Sequence, residues 1–264
     1  MDQSARIPRR LAIVDASPAG SNGSVAHLLA DFEEALRVYE RYSAWAVPGA
    51  EGIYGRDEDG KRLGLPIEHF RWVGGEEGEA DAEAADGKEA AAGAGVTMAR
   101  PVEAGAEAPP ATEDELLKAC DSLLLGFHVA GEEAPDGPLE RLEGAAARGA
   151  VSGGARVYAV AVTDDHDPAA LRPALDELAE LCDALGLVWS GGLSVGGGLV
   201  VPEQAPTARM GGKRRARSEG IDVVIAAVRS GTYVGDFSSD GYDVVEARCS
   251  LPRFAYRRRT GWDG

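Results

Sequence analysis

The chain has 264 residues, a formal net charge of −17 and an apolar fraction of 44%, enough to form a buried core in one large domain. That acidity argues against nucleic acid as a partner, because phosphate backbones call for a basic face. No apolar run approaches a membrane span, and Asp15 and Ser17 interrupt the run from Leu11 before it resembles a secretory signal. A cytoplasmic protein without membrane attachment is therefore expected. Its three cysteines, Cys120, Cys182 and Cys249, have neither metal nor redox spacing and read as reduced thiols.

Arg10 to Ala16, RLAIVDA, is a short apolar run of strand length. Ser24 to Arg41 follows with Val25, Leu28, Leu29, Phe32, Leu36 and Tyr39 at helical spacing. Ile67 to Val73 alternates like a second strand. Residues 74–111 contain nine acidic residues against Lys88 and Arg100, many Ala and Gly, and no aromatic. Such a segment buries too little surface to offset its ordering entropy, so it reads as a disordered insertion in one loop of a single domain.

Thr112 and Glu115 have the spacing of a capping box, opening a short helix through Ala119. Ser122 to Gly126 is a buried strand, Pro138 to Arg148 a helix and Arg156 to Thr163 a further strand. Pro168 to Leu185 is an amphipathic helix that Gly186 stops, Leu187 to Trp189 the fifth strand, and Arg214 to Arg229 the last helix. Residues 240–264 form a basic, aromatic tail, with Tyr242, Phe254, Tyr256 and Trp262. Aromatics mixed with Arg suit packing on the same domain or on a dimer partner, and a homo-oligomer is expected. Strands alternating with helices predict a doubly wound, five-stranded parallel sheet with helices on both faces. Ligands of such sheets bind beyond the carboxyl ends of the strands, where strand order reverses.

The loop Ser17-Pro-Ala-Gly-Ser-Asn-Gly-Ser24 lies between the first strand and the first helix. A helix N-terminus offers unpaired amides and partial positive charge, which suit a phosphate. Ser17, Ser21, Asn22 and Ser24 add side-chain donors, and Gly23 lets the backbone wrap closely. Neither a P-loop nor G-x-G-x-x-G is present. On this loop alone, a phosphate cradle and a well-capped helix are equal readings.

Thr163-Asp-Asp-His-Asp167 holds three carboxylates and His166, but consecutive residues do not converge on one centre; a cap at Asp167-Pro168 accounts for it, and no metal is expected. Gly191 to Gly198 contains five glycines, read either as close backbone approach to a ligand or another chain, or as a loose connection. Lys213-Arg-Arg-Ala-Arg217 is read either as a contact for a nucleotide 2′-phosphate or as a solvated face.

The first strand followed by SPAGSNGSVAHLLADF resembles the opening of the NADPH-dependent FMN reductase family and related flavodoxin-like oxidoreductases. Asp121 to Gly144, Trp189 to Gly198 and the LPRFAY tail are similar to later segments of that family. The resemblance implies a flavodoxin-like fold, bound FMN, NADPH or NADH as hydride donor, and a small-molecule or protein electron acceptor. It places the phosphate on Ser17, Ser21, Asn22, Gly23 and Ser24, and the ring near Phe127, His128 and Val129. No side chain is required as acid or base, since the flavin carries the chemistry. Relatives carry Pro and an aromatic in the second loop, where this chain has His128 and Ala130. That departure motivates an alternative, a flavodoxin-like scaffold that has lost flavin and serves as a binding or assembly module.

Overall fold

The computed structural model of the chain describes residues 9–18, 23–42, 64–72, 112–130 and 136–262. Among these residues six strands form one all-parallel sheet in the order β2-β1-β3-β4-β5-β6. They are β1 (Leu11–Asp15), β2 (Ile67–Arg71), β3 (Ser122–Val129), β4 (Arg156–Thr163), β5 (Val188–Val195) and β6 (Val244–Ala247). The order of the first five is that of flavodoxin-like sheets. The expected five-stranded sheet is corrected to six. Val244–Ala247 is only four residues long and half-buried at the sheet edge, so it lacks the long apolar run that marks the inner strands.

Two layers of helix cover the sheet. On one face, α1 (Ser24–Tyr42) and α6 (Arg215–Ser230) bury Val25, Phe32, Leu36, Ile221, Val224 and Val228 against Leu11, Ile13, Leu124 and Val160. On the other, α2 (Glu113–Lys118), α3 (Asp136–Ala147) and α4 (Arg172–Ala184) pack on Val14, Leu125, Phe127 and Val157. β3 and β4 are buried along their whole length, as parallel strands covered on both faces must be. Their side chains alternate between the two cores with the two-residue period of a strand.

The Thr112 capping box forms as its spacing predicts, with Thr112 accepting from the Glu115 amide and Glu115 from the Thr112 amide. Gly186, at φ +68°, follows α4. Cys120 and Cys182 are core residues, 1% and 0% exposed, and burial pushes both thiols up to about 12.

The short α5 (Val201–Gln204) precedes α6, and α7 (Arg253–Thr260) closes the described chain. Within residues 240–262 lie β6 and α7, and Tyr256 of α7 is fully buried against the domain. Residues 74–111 lie outside the described residues. No helix among the described residues is long and apolar enough to cross a membrane.

Candidate functional site at the carboxyl edge of the sheet

β1 lies between β2 and β3, so the chain leaves it in one direction and later returns on its other side. This is the switch point of the sheet, and the turn after β1 stands over it. The backbone pins that turn to both neighbours: Ala16 N donates to Gly126 O at 2.8 Å and Trp72 N to Asp15 O at 2.8 Å. The Asp15 carboxylate accepts from Ser17 N at 3.0 Å and from Ser17 Oγ at 2.5 Å. Ser17 is buried, and its hydroxyl serves the turn.

Gly23 precedes α1 at φ +74°, a left-handed conformation that side-chain-bearing residues rarely adopt. His27 N donates to Gly23 O at 3.0 Å, the first bond of the helix, so Val25 and Ala26 have no amide acceptor within it. No acidic residue stands in the first turn of this 19-residue helix, whose N-terminus carries partial positive charge. Ser24 is fully buried. Ser21 and Asn22 lie outside the described residues.

β3 continues through the stretch read as a ring-binding loop. Phe127 and Val129, 2% and 1% exposed, belong to the core beneath α3 and α4. His128 points to the opposite face, and its Nε2 lies 3.1 Å from Asp164 Oδ1. The three residues are therefore not brought together on one surface with the turn at Gly23. A Cβ on Gly126, two residues before His128, would stand 2.7 Å from Val25 Cγ1, so glycine lets α1 settle directly on β3.

The acidic segment after β4 diverges, each side chain with its own task. Asp164 meets His128, while Asp165 Oδ1 accepts from Asp167 N at 2.7 Å. His166 Nε2 bonds Leu251 O at 2.7 Å, so that nitrogen carries the proton, and Asp167 accepts from Ala169 N as the expected cap. The glycines after Trp189 answer the chain's own neighbours. Gly192 lies in β5, where a Cβ would stand 2.6 Å from Ala159 O. At Gly197, φ +75°, a Cβ would stand 2.7 Å from Cys249 Sγ.

The basic run around Arg214 is solvated only in part: Lys213 and Arg215 are exposed, while Arg214 is half-buried and Arg217 buried. Arg214 Nη2 pairs with Asp31 Oδ1 of α1 at 2.7 Å and Arg209 Nη2 with Asp222 Oδ1 at 2.6 Å. Arg217 is 5% exposed, and burial, then the neighbouring Arg214, pushes its guanidinium down to about 10. The sequence carried a signal for Arg217 that the reading above missed. It stands four and seven residues before Ile221 and Val224, on the buried stripe of α6.

No protein-family model matches this chain, and no curated protein matches it either. A groove of about 420 Å³ between α3 and α4 does not compete with the carboxyl edge as an anion site. Glu140, Glu143, Glu177 and Glu180 line it, and their charges repel a phosphate.

Fitted against FMN, the two ends of the site differ. A phosphate at the α1 N-terminus would meet Gly23 and the amides of Val25 and Ala26, which have no acceptor within the helix. At the ring end Phe127 and Val129 are core residues, and His128 Nε2 is within hydrogen-bond distance of Asp164.

Proposed function

We propose that this chain is a flavodoxin-like protein that binds a phosphate-bearing ligand at the switch point between β1 and β3. Flavin mononucleotide is the ligand to test first, with NAD(P)H-dependent electron transfer as the activity that follows from it. The observation that carries this reading is the junction of turn and helix. The N-terminus of α1, with no acidic residue in its first turn, stands where the strand order reverses, the place at which such sheets bind ligands. A bound flavin would supply the hydride chemistry, and the chain would supply phosphate grip and position.

A second reading has its own support. With Phe127 and Val129 buried and His128 tied to Asp164, a scaffold that keeps the fold without the flavin agrees with the ring end of the site. The visible spectrum of the purified full chain separates the two. A flavin band with turnover of NADPH or NADH supports the oxidoreductase. A colourless protein that takes up no added FMN and oxidises neither nucleotide supports the scaffold.

A further inference from the structure

Two surface features of opposite charge stand apart in the chain. The first is the groove of about 420 Å³ between α3 and α4. Its apolar part is Leu139 and Leu181, half-buried and packed against the core beneath. Glu140 and Glu143 of α3 and Glu177 and Glu180 of α4 also line it, and all four are exposed. Among the described residues no ion pair engages any of the four. Like charges along one groove repel each other and favour a cationic occupant.

The second is α7, RFAYRRRT, which holds four arginines and no carboxylate. Tyr256, fully buried, fixes the helix to the domain. Phe254 and Arg258 stand two residues to either side of it, about 200° around the helix axis, and so face away from the domain. They are four residues apart and therefore neighbours on that outer face. Phe254 is 77% exposed, more than any other large apolar side chain among the described residues. Arg259 pairs with Glu203, whereas among the described residues no ion pair engages Arg253 or Arg258. Within one chain the two features do not meet. The Tyr256 hydroxyl holds α7 to Asp164 O at the carboxyl edge, and no residue of α7 lines the groove.

We propose that α7 of one copy docks in the α3–α4 groove of a second copy of this chain. Phe254 then covers Leu139 and Leu181, and the arginines beside it meet the glutamates of the rim. An apolar centre with charged groups around it is the ordinary build of a protein interface, and aromatics and Arg are enriched there. The net charge of −17 opposes association of copies in general, so a contact between them has to join unlike charges. α7 and the groove supply that match from one sequence. Repeated about a two-fold axis, the contact gives a dimer with two equivalent docking sites. It does not depend on what the N-terminus of α1 binds.

The test is sedimentation of the full chain across micromolar to submillimolar concentrations, at low and high sodium chloride. Wild type should pass from monomer to dimer as concentration rises, and salt should weaken the dimer. Phe254→Ser, Arg258→Glu and the double variant Glu177→Lys/Glu180→Lys should each raise the dimer Kd about tenfold or more. All four side chains are exposed, so each variant should unfold thermally as wild type does. The deciding measurement mixes Arg258→Glu with Glu177→Lys/Glu180→Lys. Each homodimer then sets like charges together, while the mixed dimer joins unlike charges at both sites, so mixing should restore association. Wild type that stays monomeric throughout would overturn the proposal and leave the groove to a basic segment of a different protein. A dimer that all three variants keep, or a mixture that stays monomeric, would overturn it as well.

Discussion

His128 Nε2 lies 3.1 Å from Asp164 Oδ1, a side-chain bond that ties the last turn of β3 to the segment just beyond β4. His128 is 8% exposed, so either partner left alone becomes a poorly solvated polar group. His128→Ala should destabilise the fold by about 1–3 kcal/mol. Urea unfolding checks this, and an unchanged midpoint would show that the bond contributes nothing.

Tyr256 anchors α7 beneath the same segment: its hydroxyl donates to Asp164 O at 2.6 Å and its ring is fully buried. Tyr256→Phe loses only the hydroxyl's hydrogen bonds, to Asp164 O and from the Leu199 backbone, and should cost about 1 kcal/mol. Tyr256→Ala also leaves a cavity and should cost about 3–5 kcal/mol. Limited proteolysis of the alanine variant should release the C-terminal segment faster than in wild type.

Gly126→Ala is expected to disturb the candidate phosphate turn without touching it. The new methyl would meet Val25 Cγ1 at 2.7 Å and Leu29 Cδ1 at 2.8 Å, so α1 must move or its side chains repack. Overpacking of this kind costs about 1–3 kcal/mol. Because Val25 is in the first turn of α1, ligand affinity at the switch point should fall together with stability. Parallel thermal and binding measurements on this variant test the coupling.

The buried thiols predict an alkaline limit. Burial raises Cys120 and Cys182 from 9.0 to about 12, and it also raises Tyr158 and Tyr256. A raised folded-state value means that the unfolded chain releases its protons first. The stabilisation from the thiols is therefore complete below pH 9 and disappears as pH climbs towards 12. Denaturant titrations between those limits should show falling stability, with a shallower slope in Cys182→Ala. At neutral pH a thiol reagent should modify half-buried Cys249 before the other two.

The inner strands and long helices were legible in the sequence because their signals are local. The apolar run of RVYAVAVT, the helical spacing from Val25 to Leu36 and the Thr112–Glu115 box each declare an element without its neighbours. What escaped depends on partners distant in sequence. β6 exists because Val244 to Ala247 find Gly192 to Val195 beside them. β5 runs through two glycines because Ala159 and Asp243 crowd them, which a sequence presents only as a loose Gly-rich stretch. Phe127 read as a ring contact because the strand seemed to end at Gly126; three more paired residues carried it into the core instead. Arg217 stood on a visible apolar stripe, but only the packing of α6 on β5 shows that its side chain is buried.

The most direct test of the switch-point reading compares FMN with riboflavin, which has the same ring and no phosphate. Flavin fluorescence is followed as the full chain is added to each. If α1 holds a phosphate, FMN should bind at least about tenfold more tightly than riboflavin, a difference of about 1.4 kcal/mol or more. Equal affinity for the two flavins, or no binding of either, would contradict a phosphate site at the N-terminus of α1.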